Sequence, residues 1–104
     1  MTNAMIPLCP AADLAPGQFR RFELAGRDPV LLCNVAGQYY AVDDECTHAI
    51  ADLSEGRMEG EIVFCPMHGG SFNVRSGKAC SLPCKQALRT YALEVTDGSV
   101  WLKV

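Results

Sequence analysis

Apolar and polar side chains alternate along most of the chain, which is the pattern of β-strands that bury one face. The clearest case lies near the C-terminus, where the alternation from residue 91 to 95 stops at Asp97-Gly98 and then resumes. That dipeptide tolerates positive φ, so the pattern predicts a β-hairpin that turns there. A second hairpin is predicted to turn at Ala36-Gly37. No segment has the apolar period of a helix of three turns, and we expect an all-β fold.

Seven strands are predicted from alternation, from β-branched and aromatic content and from flanking turn residues. They span residues 18–24, 29–35, 38–43, 61–64, 71–74, 88–96 and 99–104.

A chain of 104 residues has the usual size of one compact domain, and we expect residues 1–104 to form a single one. Residues 1–42 and 87–104 carry most of the large apolar side chains and are predicted to form a basal β scaffold. Residues 43–86 are rich in Gly, Pro and Cys and contain both histidines. They are predicted to form a loop-rich insert that holds the functional site.

Composition and charge exclude several classes of function. The formal net charge is −3 and the isoelectric point is near 5.2, which argues against a surface for nucleic acid. No window approaches 18 apolar residues, and the N-terminus has no signal-peptide pattern, so we expect a cytoplasmic protein without a membrane span. In that reducing compartment the six cysteines favour metal ligation over disulfides.

Two short segments each combine one thiol with one imidazole. Cys46-Thr47-His48 is followed, after sixteen residues, by Cys65-Pro66-Met67-His68. Four such ligands are compatible with tetrahedral zinc, and a zinc-stabilised interaction module without a redox role is one alternative. Zinc fingers, however, group cysteine with cysteine and histidine with histidine. Mixed pairs suit a two-iron cluster, because each segment can give its cysteine to one iron and its histidine to the other.

This motif resembles that of the Rieske family. The resemblance is supported by Gly69 and Gly70 after the second histidine, by Phe72, by a predicted hairpin turn at Ser76-Gly77-Lys78 and by the proline-bearing segment Leu82-Pro83. It implies stacked antiparallel sheets with the cluster-binding insert at one tip.

The resemblance also implies the cofactor and its ligands. One Rieske [2Fe-2S] cluster is expected, with Cys46 and Cys65 on the inner iron and His48 and His68 on the outer iron. The four residues are expected both to bind the cofactor and to ligate its metal, and electrons are expected to pass through the histidine edge.

The variable positions of the motif indicate a low-potential member of the family. High-potential members carry a pair of bridging cysteines where this chain has Ala51 and Met67, and serine and tyrosine hydroxyls where it has Gly70 and Phe72. Hydrogen bonds to the cluster sulfurs stabilise the reduced state, so their loss lowers the potential. We expect a value near the bottom of the Rieske range, about −150 mV.

A low-potential chain of this length resembles the ferredoxin component of bacterial aromatic-ring dioxygenase systems. The resemblance implies a soluble one-electron carrier between a flavin-dependent reductase and a terminal Rieske non-haem iron oxygenase, acting as a monomer in transient complexes. The alternative within the family is a Rieske small subunit of a larger reductase, such as nitrite reductase. Catalytic residues are not expected, because the cluster uses both histidines of the chain and leaves none for an oxygenase centre or an acid–base pair.

Three further groups of residues allow simpler interpretations. Ala49, Ile50, Met67 and Pro83 are predicted to form an apolar docking rim or, equally well, to pack their own loops. Cys80 and Cys84 are expected to be free thiols, and Cys33 is expected in the core. The acidic run 43–45 is expected to be a solvated loop.

Overall fold

The computed structural model describes residues 4–47, 50–67, 69–82 and 84–103. Regular structure within these ranges consists of eleven β-strands and two 3-10 turns, at Ala11–Asp13 and Leu53–Glu55. The strands are β1 (Met5–Pro10), β2 (Phe19–Phe22), β3 (Val30–Val35), β4 (Gln38–Asp43), β5 (Arg57–Glu59), β6 (Ile62–Phe64), β7 (Ser71–Asn73), β8 (Ala79–Ser81), β9 (Thr90–Tyr91), β10 (Leu93–Thr96) and β11 (Ser99–Lys103).

The strands form three antiparallel sheets, which confirms the predicted all-β fold. The first sheet has the order β1-β11-β10, the second β2-β3-β4-β9 and the third β5-β6-β7-β8. All four strands of the third sheet come from residues 57–81, in the middle of the chain. The segment with the first predicted ligands connects β4 of the second sheet to β5 of the third. The segment with the second pair connects β6 to β7 within the third sheet.

Both hairpins predicted from turn chemistry are present. Ala36 and Gly37 have φ values of 51° and 92°, and Asp97 and Gly98 have values of 52° and 74°. Two consecutive residues with positive φ form the turn whose twist matches that of antiparallel strands. The hairpin predicted around residues 76–78 is also present, because β7 pairs with β8 across it.

Three strands were missed and one predicted strand is divided. β1 contains Pro7 and Pro10, and it lies at the edge of its sheet, where it pairs with β11. Prolines, which lack an N–H, are tolerated in edge strands because one side of such a strand makes no ladder hydrogen bonds. β5 and β8 have three residues each and lack the β-branched and aromatic side chains that indicated the equally short β6 and β7. The predicted strand 88–96 splits into β9, which pairs with β4, and β10, which pairs with β11.

Strand β3 is the central element of the core. Its side chains alternate between two apolar clusters, with Leu31 and Cys33 in one and Leu32 in the other. The first cluster also contains Phe72 of β7, and it links the second sheet to the third. The second cluster contains Val100 of β11, and it links the second sheet to the first. Cys33 is fully buried, as predicted for a core residue.

Tyr91 offers a test of stability at alkaline pH. Its hydroxyl donates a hydrogen bond to Asp43, and burial, together with this carboxylate, raises the pKa of Tyr91 to about 12. An unfolded tyrosine titrates near pH 10, so the stabilisation is present below pH 10 and is lost as the pH rises through 12.

We therefore expect the difference in unfolding free energy between the wild type and Tyr91→Phe to shrink from pH 10 to pH 12. Denaturant titrations at a series of pH values would measure it, with Tyr40→Phe on the neighbouring strand as the control. A difference that stays constant over this range would contradict the assignment.

Candidate metal centre

Cys46 and Cys65 lie side by side, although nineteen positions separate them in the sequence. Cys46 follows the end of β4 and Cys65 follows β6 directly. Both side chains are buried and belong to one core cluster, and the neighbouring Cys46 side chain contributes to the raised pKa of Cys65. The fold therefore brings together the two thiols that were predicted as ligands.

The segments that begin at Cys46 and at Cys65 are each closed by an equivalent backbone hydrogen bond. The N–H of Cys46 donates to the carbonyl of Ala51 at 2.9 Å, and the N–H of Cys65 donates to the carbonyl of Gly70 at 2.8 Å. Each bond joins a cysteine to the residue five positions later. We define ligand loop 1 as residues 46–51 and ligand loop 2 as residues 65–70. The sequence showed that the two segments have similar residues, but it did not show that their backbones close alike.

The sulfur of Cys65 already accepts a hydrogen bond from the chain. Burial raises the pKa of the Cys65 thiol, and the backbone N–H of Met67 acts in the opposite direction because it stabilises negative charge on the sulfur. A backbone donor to a buried sulfur suits a thiolate ligand of iron, because the hydrogen bond stabilises the negative charge on the sulfur. The two buried, adjacent thiols and this donor therefore fit one side of a two-iron cluster.

The predicted imidazole ligands, His48 and His68, lie outside the described residues. By sequence each belongs to one ligand loop, two positions after Cys46 and three after Cys65. Among the residues that the structure does describe, no group of three or more His, Cys, Asp or Glu side chains is arranged to hold a metal ion. Ligation by these four residues therefore stays a prediction.

A buried carboxylate anchors ligand loop 1 to the scaffold. Asp44 is fully buried and accepts hydrogen bonds from the N–H and hydroxyl of Ser54, at 2.7 and 2.9 Å. Arg21 of β2 donates to the same carboxylate at 2.9 Å and also pairs with Asp52 at 2.9 Å. The expectation of a solvated acidic loop was thus wrong at Asp44, because tertiary packing supplies partners that the sequence does not reveal.

A third loop follows β8, and its described residues, 82 and 84–86, contact both ligand loops. The hydroxyl of Thr47 in ligand loop 1 donates to the carbonyl of Gln86 at 2.7 Å, and the Cys84 sulfur lies against Gly70 of ligand loop 2. Cys84 is buried in the same core cluster as Cys46 and Cys65.

Cys80 and Cys84 were predicted to be free thiols, and both are free. Cys80 is exposed whereas Cys84 is buried. Burial, with further contributions from the neighbouring Cys46 and Cys65, raises the pKa of Cys84 to about 12.

Large apolar side chains project from all three loops. Ile50 is fully exposed (101 %), Leu82 is 71 % exposed and Met67 is 43 % exposed. Ile50 and Met67 belong to the predicted docking rim; the complete exposure of Ile50 excludes packing within its own loop, whereas Met67 is partly covered. Leu82 was missed as a rim residue because an isolated leucine in a loop carries no signal of exposure. Ala49 and Pro83, the other two predicted members, lie outside the described residues.

No helix in the described ranges has the length and apolar character needed to cross a membrane.

The fold and the paired ligand loops define a class of protein. Residues 4–92 match the family model of the Rieske [2Fe-2S] domain, and the chain belongs to this family. Its cofactor is therefore one Rieske-type [2Fe-2S] cluster, and the zinc alternative is set aside.

Comparison with known proteins narrows the class. The chain is 41 % identical over 102 residues to ferredoxin CarAc of Metapseudomonas resinovorans, covering 98 % of this chain and 95 % of that one. It is 43 % identical over 97 residues to the ferredoxin component of biphenyl 2,3-dioxygenase from Rhodococcus jostii (strain RHA1), covering 93 % and 90 %.

A solved structure agrees with the sequence comparisons. A chain in the complex of reduced oxygenase and oxidized ferredoxin in carbazole 1,9a-dioxygenase has a TM-score of 0.93 and 41 % identity, covering 95 % of this chain and 92 % of that chain. The protein is thus a Rieske ferredoxin of the type found in aromatic dioxygenase systems, and it carries electrons rather than catalysing a reaction. These relatives favour the ferredoxin over the small subunit of a larger reductase.

Proposed function

We propose that this ferredoxin accepts single electrons from a flavin-dependent reductase and delivers them to the terminal oxygenase of an aromatic-ring dioxygenase system in the cytoplasm. The observation that carries the proposal is the set of exposed apolar side chains on the three loops around Cys46 and Cys65. These loops are where a partner must approach if an electron is to pass over a short distance.

The ligand assignment is part of the proposal. Cys46 and Cys65 hold one iron and His48 and His68 hold the other. When bound, the cluster accepts and releases one electron at a time. The chain buries both thiols away from water and closes both loops with backbone hydrogen bonds. It also directs the N–H of Met67 at the Cys65 sulfur. Since position 70 has no side chain and the buried Phe72 has no hydroxyl, these two positions offer no donor, which supports a low potential.

We also propose that the chain is one domain. The first core cluster combines Leu31 and Val42 of the scaffold with Val63 and Phe72 of the insert, and it includes the cysteines of the centre. A shared core of this kind makes separate folding of scaffold and insert unfavourable. It also places the metal centre on a rigid base, which limits reorganisation during electron transfer.

The rim of Ile50, Met67 and Leu82 is proposed as the docking surface for the terminal oxygenase. A related ferredoxin is found in complex with an oxygenase in the carbazole 1,9a-dioxygenase structure. A few exposed apolar residues suit a small interface that forms and dissociates quickly, as electron-transfer complexes require. The ferredoxin is accordingly proposed to act as a monomer in transient complexes.

Charge placed on the rim is expected to slow electron delivery. Ile50→Glu and Leu82→Glu should each lower kcat/KM for reduction of the oxygenase on the order of tenfold, or about 1.4 kcal/mol, because an unpaired charge is costly to bury in an apolar interface. Stopped-flow reduction of the oxygenase by pre-reduced ferredoxin would measure the rate.

The matched control for these variants is Val95→Glu. Val95 is a half-exposed apolar residue (51 %) on β10 in the first sheet, and its replacement should leave the rate unchanged. The reduction potential should be the same in all variants. Equal slowing by Val95→Glu, or no slowing by the rim variants, would contradict docking at the rim.

A further inference from the structure

A third buried thiol, that of Cys84, lies against the two cysteines proposed as ligands. All three side chains belong to one buried cluster. Burial and the neighbouring Cys46 and Cys65 side chains raise the pKa of the Cys84 thiol, Cys46 in part through a side-chain hydrogen bond. The four proposed ligands leave this residue without an assigned role.

The position of the Cys84 sulfur is set by contacts on two sides. The N–H of Cys84 donates to the carbonyl of Ser81 at 3.1 Å, which ties Cys84 to the end of β8. On the other side the sulfur lies directly over the α-carbon of Gly70, and a β-carbon at position 70 would overlap it. The absence of a side chain at Gly70 is therefore what allows this sulfur to reach between the two ligand loops.

The contacts of Cys84 are those of a hydrogen-bond donor rather than of a third ligand. Among the described residues no group of three potential ligands is arranged to hold a metal ion, so the three thiols do not form a site by themselves. A thiol that is not bound to metal carries its proton at neutral pH, because the ordinary pKa of cysteine is near 8.5, and Cys84 therefore has an S–H to donate.

We propose that Cys84 is a positioning residue of the centre, whose S–H donates a hydrogen bond to the Cys46 sulfur and raises the reduction potential of the cluster. The inference rests on the proposed ligand assignment. Reduction adds one electron and hence one negative charge to the centre, and a donor to a ligand sulfur stabilises that charge. The Cys84 proton stays on its own sulfur in both states, so only the electron is transferred.

Removal of the donor tests the proposal. Cys84→Ala should keep its iron and shift the one-electron equilibrium two- to fivefold towards the oxidised form. At 59 mV per tenfold change this corresponds to a potential lower by about 18 to 41 mV. Cys84→Ser, which keeps a donor, should recover at least half of the shift. Cys9→Ala, which removes a buried thiol from the other core cluster, should leave the potential unchanged.

Protein-film voltammetry gives the potentials, and EPR of the reduced proteins verifies that the mixed sulfur and nitrogen ligation persists. The proposal is overturned if Cys84→Ala has the wild-type potential, or if the alanine and serine variants have equal potentials, since packing alone would then explain the shift. Should Cys84→Ala lose its iron, Cys84→Val keeps the volume and provides the same comparison with serine. Loss of iron from both variants would also overturn it, because Cys84 would then act as a ligand or as a structural residue.

EPR tests the ligand assignment, and the reduction potential tests the role of Cys84, so the two proposals can fail separately. If the wild-type centre lacks the EPR signature of mixed ligation, the ligand assignment fails. If the signature is present and the potential does not respond to Cys84, only the role of Cys84 is lost.

Discussion

Replacing Cys65 by alanine should remove the cluster altogether, from two irons per chain to background. The Cys65 thiol is buried beside Cys46, and its loss leaves Cys46 as the single thiolate assigned to that iron. Because metal binding is coupled to folding, the melting temperature should fall as well. Iron analysis and visible absorption after anaerobic purification would measure the loss.

The matched control is Cys33→Ala. This thiol is also buried, but it lies within β3, and its removal should cost stability while leaving the iron content unchanged. His48→Ala and His68→Ala should each lose the visible spectrum of the wild type. Retention of two irons by Cys65→Ala, or an unchanged spectrum after replacement of both histidines, would refute the ligand set.

Arg21→Met is expected to give the largest loss of stability among surface-accessible substitutions. Asp44 is fully buried, and Arg21 is its cationic partner at 2.9 Å. Without that partner a buried carboxylate is left with hydrogen bonds from Ser54 alone. Breaking a fully buried pair costs about 3–5 kcal/mol. Since the Arg21 side chain is 32 % exposed, solvent screening reduces the expected cost to about 2–4 kcal/mol.

Arg20→Met provides the control for this prediction. Arg20 is the neighbouring residue on β2, it is exposed, and it donates a long hydrogen bond of 3.4 Å to the carbonyl of Asp13. Its replacement should change the free energy of unfolding by less than about 0.5 kcal/mol. Denaturant titration of the holoprotein would measure both variants. Equal effects would show that the Asp44 carboxylate does not depend on Arg21.

Because Asp44 lies two positions before Cys46, loss of the Arg21 partner should affect ligand loop 1 before the rest of the fold. The carbonyl of Asp44 also accepts a hydrogen bond from the N–H of Leu53 at 2.7 Å, which ties both ends of the loop to the same residue. The cluster of Arg21→Met should therefore be released at a lower denaturant concentration than that at which the β-sheets unfold. A single shared transition would contradict this order.

The local chemistry of the chain was sufficient for the hairpins and for the class of site. Asp97-Gly98 and Ala36-Gly37 form turns because their backbones adopt positive φ, a property of those residues and their flanking alternation. The mixed pairs at residues 46–48 and 65–68 indicated a two-iron centre because ligand type and spacing are written directly in the sequence. Burial of Cys33 likewise followed from the continuous apolar run around it.

Other features depended on which segments meet in space. The division of residues 88–96 between two sheets is decided by the partners of β9 and β10, β4 and β11, and alternation continues across the break. Pro7 and Pro10 signal a strand end, yet they are accommodated at a sheet edge whose position only the topology defines.

By itself, then, the sequence determined the all-β class, the hairpin turns and the four residues predicted to hold the cluster, since these depend on neighbours in the chain. Only the tertiary structure decided that Asp44 is buried with Arg21, that Cys84 reaches Cys46 over Gly70, and that Leu82 joins the exposed rim. Burial and long-range hydrogen bonds depend on the packing of segments far apart in sequence, and no local pattern encodes that packing.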